Sequence, residues 1–168
     1  MALVHLLPRF SVRPMRRADC GAVAKLSRES FAYFRALGSK GDKPSRADAL
    51  CAGGFGPKRV FRGYVATCDK QIVGYVLCCD GWDSDSGRPE GFLSDLFVTE
   101  LWRRQGIGAL LLHRAGNDYA RLGMRRFYWF VFSPNTAAKA FYARCGAKKL
   151  SSKLFIMTLA ASRAKRKL

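Results

Sequence analysis

One stretch constrains this chain more than any other. Leu93-Ser94-Asp95-Leu96-Phe97-Val98 is an apolar strand that runs into Arg103-Arg104-Gln105-Gly106-Ile107-Gly108-Ala109, a basic turn with two glycines, and a helix opens with Leu110-Leu111-Leu112. Small residues let the backbone approach a ligand, and the N–H groups of a first helical turn have no intrahelical partner. The two arginines add positive charge beside the helix dipole. The stretch has the makings of an anion cradle. On the motif alone, a solvated glycine-containing connection fits equally well. No Gly-Lys-Ser/Thr follows, which excludes a Walker-type loop, and the third glycine of the dinucleotide fingerprint is missing.

The surrounding elements follow from periodicity and breakers. Phe10-Ser11-Val12-Arg13-Pro14 alternates like an edge strand, and Pro14 ends it. Asp19 is a suitable N-cap for a helix from Cys20 to Leu37, with Val23, Leu26, Phe31, Phe34 and Leu37 near helical spacing. Gly38–Pro44 is a breaker-rich loop, and Ser45–Cys51 a short helix ended by Gly53–Pro57. Val60–Cys68 and Gln71–Asp80 pair as an antiparallel hairpin about Asp69-Lys70. Gly81–Pro89 reads as a loop long enough to reach over a site.

Gly91–Val98 is nearly all apolar from Phe92, as in a strand buried on both faces. The helix after Gly106 presents Ile107, Leu110, Leu111, Ala115, Tyr119 and Leu122 on one face, and Gly123 closes it. Arg126–Phe132 is another buried strand. Ser133-Pro134-Asn135 opens a helix that ends at Gly146, and Ala147–Leu159 reads as a final hairpin. The expected fold class is α/β: an α+β mixed sheet with helices on both faces. It forms one domain over residues 10–160, between an N-terminal extension at 1–9 and a basic tail at 161–168.

The net charge of +18 favours polyanions, whether nucleic acid, an acidic membrane surface or a phosphorylated ligand, and disfavours free cationic substrates at long range. The six cysteines, at 20, 51, 68, 78, 79 and 145, form no CxxC pair, and His5 and His113 lie far apart. No metal site is expected, and the thiols read as reduced and mostly buried, as in a cytoplasmic protein. No apolar run approaches the ~20 residues that span a bilayer. Arg9, Arg13, Arg16 and Arg17 give the start a trace of a mitochondrial presequence, but Phe10–Arg16 also reads as a strand.

Further along, Pro134–Ala147 carries Asn135, Phe141, Tyr142, Gly146 and Ala147 along one helix and its end. Together with the basic turn, this resembles the GCN5-related N-acetyltransferase (GNAT) superfamily. In that superfamily an Arg/Gln-x-x-Gly-x-Gly/Ala turn binds the pyrophosphate of acetyl-CoA. The likeness extends to the diamine branch, the spermidine/spermine and thialysine acetyltransferases. The branch's Leu-Glu-Asp-Phe-Phe-Val strand is similar to Leu93–Val98, and its Asn…Phe-Tyr…Gly-Ala helix is similar to Asn135–Ala147. Its Arg-Pro…Asp-Cys and Gly-Phe-Gly motifs are similar to Arg13-Pro14, Asp19-Cys20 and Gly54-Phe55-Gly56. The resemblance covers residues 10 to 150.

The resemblance implies a GNAT-type domain with a mostly antiparallel sheet of about six or seven strands, acetyl-CoA as cosubstrate, no metal, and commonly a homodimer. Leu96, Phe97 and Val98 would offer backbone groups to the pantetheine arm, which lies almost as an extra strand. Arg103, Arg104, Gln105, Gly106, Ile107, Gly108 and Ala109 would form the pyrophosphate turn. Asn135 would bind the cofactor arm. Tyr142 would sit by the thioester sulfur as general acid, since a phenol is a hydrogen-bond donor at neutral pH. A backbone N–H near Val98 would stabilise the carbonyl oxygen. Asp95 would be the base that takes the amine proton, a contact for the amine, or a structural anchor for a bulge in the strand. Tyr33, Ser94 and Asp95 correspond to the branch's amine-binding positions. Ser94 stands where the branch has Glu, and Phe34 where it has a second acid, leaving Glu29, Asp83, Asp85 and Glu90 as possible substitutes.

The expected activity is therefore direct transfer of acetyl to a primary amine of a small molecule, polyamine-, diamine- or lysine-analogue-like. An acetyl-Cys145 intermediate lacks an activating partner in the sequence, and nothing in the spacing of Ser94 and His113 supports a triad. The tail Arg163-Ala164-Lys165-Arg166-Lys167 and the charge leave an alternative: an acetyltransferase of protein or histone amines, or a non-catalytic relative that binds nucleic acid.

Overall fold

In the computed structural model, residues 10–41 and 43–151 are described. They form a mixed sheet in the order β1-β2-β3-β4-β5, with β1 Phe10–Pro14, β2 Arg62–Cys68, β3 Gln71–Asp83, β4 Arg88–Val98 and β5 Phe127–Tyr128. The first four strands pair antiparallel in sequence order, and β5 lies parallel to β4. Four helices cover the sheet: α1 Cys20–Ala36, α2 Ala47–Phe55, α3 Ile107–Arg121 and α4 Thr136–Arg144.

The pleat divides the core in two. Val65, Tyr75, Leu77 and Phe97 point to the face covered by α1 and α2, where Val23, Leu26 and Leu50 meet them. Tyr64, Ala66, Val76, Cys78, Leu93 and Val98 point to the other face and pack against Ile107, Leu111, Leu112, Ala115 and Tyr119 of α3. Successive strand residues face opposite ways, so both layers are filled from the same short segments. The expected α/β class, with helices on both faces, is what the chain adopts.

Several boundaries differ from the sequence reading. The segment expected to be a loop at Gly81–Pro89 is the end of a long hairpin: β3 continues to Asp83 and β4 starts at Arg88. Cross-strand partners Trp82–Pro89 and Gly81–Glu90 extend the ladder where glycine and proline suggested a break. α2 runs on to Phe55 through Gly53 and Gly54, because Phe61 packs where their side chains would be. In α3 the buried stripe takes Leu112 rather than Leu110 and Leu122, which are exposed. Arg126–Phe132 is not one buried strand: ladder pairing covers only Phe127 and Tyr128, and Phe130 is exposed. Gly91–Val98 is not buried throughout, since Ser94 is exposed and Asp95 and Leu96 are half-buried.

Residues 147–151 carry no regular element. The rest of the expected hairpin over Ala147–Leu159, the extension at 1–9 and the basic tail at 161–168 lie outside the described residues. None of the described helices is long and apolar enough to cross a membrane.

Candidate active site

Two irregularities in β4 shape the candidate site. Leu77 partners Asp95 and Cys78 partners Leu93, so Ser94 is an extra, bulged residue. A bulge bends the strand and increases its twist. On its other edge β4 pairs with β5 only at Gly91–Phe127 and Phe92–Tyr128. Beyond Phe92 the two strands part, and the edge of Leu93–Val98 is left without a strand partner among the described residues. Thr99 N–H donates to Val73 O at 3.0 Å, toward β3. By strand alternation, Leu96 and Val98 turn their N–H and C=O groups toward the open edge.

The basic turn follows directly. A short turn at Glu100–Trp102 leads into Arg104 with φ +62° and Gly106 with φ +83°, the left-handed residue at the start of α3. The first intrahelical bond is Leu110 N–H to Gly106 O, at 3.0 Å. The N–H groups of Ile107, Gly108 and Ala109 therefore have no intrahelical partner, and no side chain caps the helix. A Cβ on Gly108 would meet the Phe141 ring at 3.3 Å, so the helix start and α4 approach closely only because glycine stands there.

The two arginines separate. Arg104 is exposed. Arg103 turns back: its Nε donates to Val98 O at 2.9 Å, and its guanidinium carbon lies 4.7 Å from the Tyr33 ring centre and 5.3 Å from that of Phe97. Tyr33 in turn donates its hydroxyl to Asn135 Oδ1 at 3.2 Å. Asn135 is buried and caps α4, accepting from Ala138 N–H at 3.0 Å. Tyr33, expected among amine-binding positions, thus touches Asn135 and Arg103.

Asp95 lies on the α1 side of the sheet, where its carboxylate accepts the hydroxyl of fully buried Tyr75. Burial lifts its pKa above the ordinary carboxylate range, against the opposing pull of Tyr75 and the Leu96 N–H. No salt bridge reaches it among the described residues. Tyr142, on α4, packs against Trp129 with ring centres 4.7 Å apart. Its phenol is pushed well above the usual tyrosine value by burial first, then by Asp95 and Cys145. It stays protonated at neutral pH, and Asp95 is near enough to act on it electrostatically. The structure thus brings Asp95, Tyr142, Asn135 and the open β4 edge to one end of the sheet.

Other candidates lie elsewhere or have partners. Ser94 is exposed in the bulge. Glu29 accepts Thr99 Oγ1 at 2.7 Å, tying α1 to the end of β4. Asp83 is held by Arg126 at 2.8 Å and by Ser86, about 20 Å along β3 from the partner of Asp95. Asp85 follows it in the hairpin turn, and Glu90 adjoins Tyr128. His113 is exposed and Cys145 half-buried. No group of three or more His, Cys, Asp or Glu side chains that could hold a metal occurs among the described residues. Sequence reasoning missed Tyr75 and Trp129. Tyr75 is diagonal to Asp95 on the same face, a signal readable only once the bulged register is known.

The model of the acetyltransferase (GNAT) family matches residues 25–147. Thialysine N-epsilon-acetyltransferase of Mus musculus is 30% identical over 148 residues, 83% of this chain and 85% of that protein. L-ornithine N5-acetyltransferase of Arabidopsis thaliana is 32% identical over 80 residues, 48% of this chain and only 35% of that protein. In fold, an aminoglycoside N-acetyltransferase solved with CoA superposes with a TM-score of 0.75 at 18% identity, over 94% of this chain and 100% of that one. The chain belongs to the acetyltransferase (GNAT) family and is an enzyme of that class.

Proposed function

We propose that this acetyltransferase moves an acetyl group from acetyl-CoA to a primary amine of a small molecule, diamine-like or a lysine analogue, by direct transfer. The observation that carries the reading is the parting of β4 and β5 after Phe92, which opens the edge of Leu93–Val98 beside Tyr142, Asn135 and the start of α3. Similarity to the mouse thialysine enzyme supports the amine class.

The residues present fit the cofactor. Leu96 and Val98 offer backbone groups to an extended arm lying along the open edge. The free N–H groups of Ile107, Gly108 and Ala109, with Arg104 beside them, suit a pyrophosphate. Arg103 braces the turn against β4 and Tyr33. Bound acetyl-CoA supplies the activated acetyl thioester. Val98 N–H faces the open edge and stabilises negative charge gathering on an oxygen there. Asp95 takes the proton that the attacking amine sheds, and its Tyr75 partner holds the carboxylate in place. Tyr142 Oη gives its proton on the leaving side, a donor that burial keeps protonated. Association of two such chains is the assembly the family resemblance favours, and sedimentation measures it.

Acetyl-CoA at one hundred times its dissociation constant stabilises the fold by about 2.7 kcal/mol, read as a higher Tm. A Tm indifferent to saturating acetyl-CoA removes the reading. An amine panel followed by mass spectrometry then separates diamines and lysine analogues from protein amines. Acetylation of protein lysines or N-termini alone replaces the small-molecule assignment with a protein acceptor.

A further inference from the structure

We propose that Tyr33 is a positioning residue for the cofactor half of the site, acting through Asn135 and held in place by Arg103. The inference rests on the acetyl-CoA reading above, and it moves Tyr33 from the amine side to the cofactor side. A carboxamide oxygen has two lone pairs. Asn135 Oδ1 uses both, one for Ala138 N–H at 3.0 Å and one for the Tyr33 hydroxyl at 3.2 Å. The Asn135 Nδ2 group has no protein partner among the described residues, although Asn135 is only 5% exposed. With the oxygen committed, the amide presents its two N–H bonds to whatever lies against the mouth of α4, and it cannot flip without breaking both bonds.

The Tyr33 ring is itself fixed. The Arg103 guanidinium covers it at 4.7 Å, and Arg103 is anchored by Nε to Val98 O at 2.9 Å. A cation over an aromatic face contributes about 0.5–2 kcal/mol. Phe34 adds an edge contact to Tyr33 at 5.7 Å and another to Phe132 at 6.4 Å. The chain of contacts runs from the open edge of β4, through Arg103 and Tyr33, to the first turn of α4. It ties the end of β4 to the start of α4. The only hydrogen bond made by the Tyr33 hydroxyl among the described residues is the one to Asn135, so the group serves the amide and not an incoming amine.

Calorimetric titration with acetyl-CoA tests this without a known amine. Tyr33→Phe keeps the ring under Arg103 and removes only the hydroxyl. Asn135→Ser keeps a helix cap and removes only the amide. Tyr33→Phe is expected to weaken acetyl-CoA binding about three- to tenfold, the effect of one hydrogen bond. Asn135→Ser weakens it at least as much, and the double variant no further, because Tyr33 acts only through the amide. A merely structural tyrosine would lower stability without this dependence on Asn135. Additive losses overturn the proposal. So does unchanged acetyl-CoA affinity, which returns Tyr33 to the acceptor side. Failure of the wild-type protein to bind acetyl-CoA overturns the functional reading itself, whereas equal binding by wild type and Tyr33→Phe overturns only this inference.

Discussion

Asp19, at the corner between β1 and α1, is buried, Asp95, on β4, is half-buried, and the fold treats the two carboxylates in opposite ways. Asp19 receives both guanidinium nitrogens of Arg13, at 2.7 and 2.9 Å, and the Arg16 N–H at 2.7 Å. Arg13 above all holds its pKa below the ordinary carboxylate range. Asp95 has a phenol and a backbone N–H but no cation, and burial raises its pKa. Asp19 is satisfied as an anion, so it joins strand to helix and has no capacity left for chemistry. Asp95 is incompletely satisfied as an anion, which is the condition of a group that can take up a proton. The two carboxylates differ in charge compensation: Asp19 has a guanidinium against it and Asp95 has none among the described residues.

The comparison breaks first on activity. Asp95→Asn is expected to lower kcat by about 10²–10⁴, the range for a general acid–base group, while the variant remains folded. Tyr142→Phe, which keeps the packing on Trp129, is expected to lower kcat in the same range with acetyl-CoA affinity retained. Steady-state kinetics with full turnover by either variant removes that residue from the mechanism. A smaller effect follows at the corner. Asp19→Asn is expected to cost about 1.5–3 kcal/mol, toward the low end because the Arg13 side chain is 29% exposed, with turnover per folded molecule maintained. Denaturant titration measures the loss, and a loss of turnover without one would mean that Asp19 belongs to the site.

The smallest effect concerns pH. Asp19 has a folded pKa below its unfolded value of about 3.9. Its contribution is fully present above that value and is lost as pH falls through the folded pKa. Asp95 has a folded pKa above its unfolded one. Its ionised form therefore costs stability as pH rises through the folded pKa, and the cost disappears below about pH 3.9. The stability of Asp95→Asn relative to wild type is expected to increase from pH 3 toward neutrality, whereas that of Asp19→Asn decreases. Melting curves across pH check the two signs, and parallel trends would erase the contrast.

Much of this was legible in local sequence. The glycine turn at Arg103–Ala109, the Asn135 cap of α4 and the hairpin at Asp69-Lys70, with φ values of +46° and +70°, announce themselves through residue types that particular backbone geometries require. Asp19 was legible as the residue before a helix, but not as the partner of Arg13: its carboxylate makes no cap bond to α1. The long β3–β4 hairpin was hidden because Gly81, Gly87 and Pro89 read as breakers, although a ladder can carry them near its end. Arg103 read as one of a pair of phosphate ligands, and only the nearness of Tyr33 and Val98 shows that it turns away from Arg104.

By itself the sequence determined the order of most described elements and the family, because helical period, strand alternation and turn chemistry depend on residues within a few positions of one another. The tertiary structure alone decided the register. A single bulged residue, Ser94, sets which side chains of β4 face α1, and so places Asp95 under Tyr75. The early end of β4–β5 pairing decided where a backbone edge stays open. Neither is encoded at short range: a strand slipped by one residue turns every side chain to the other face, and only the packing of α1 and α3 on the two faces selects between the alternatives.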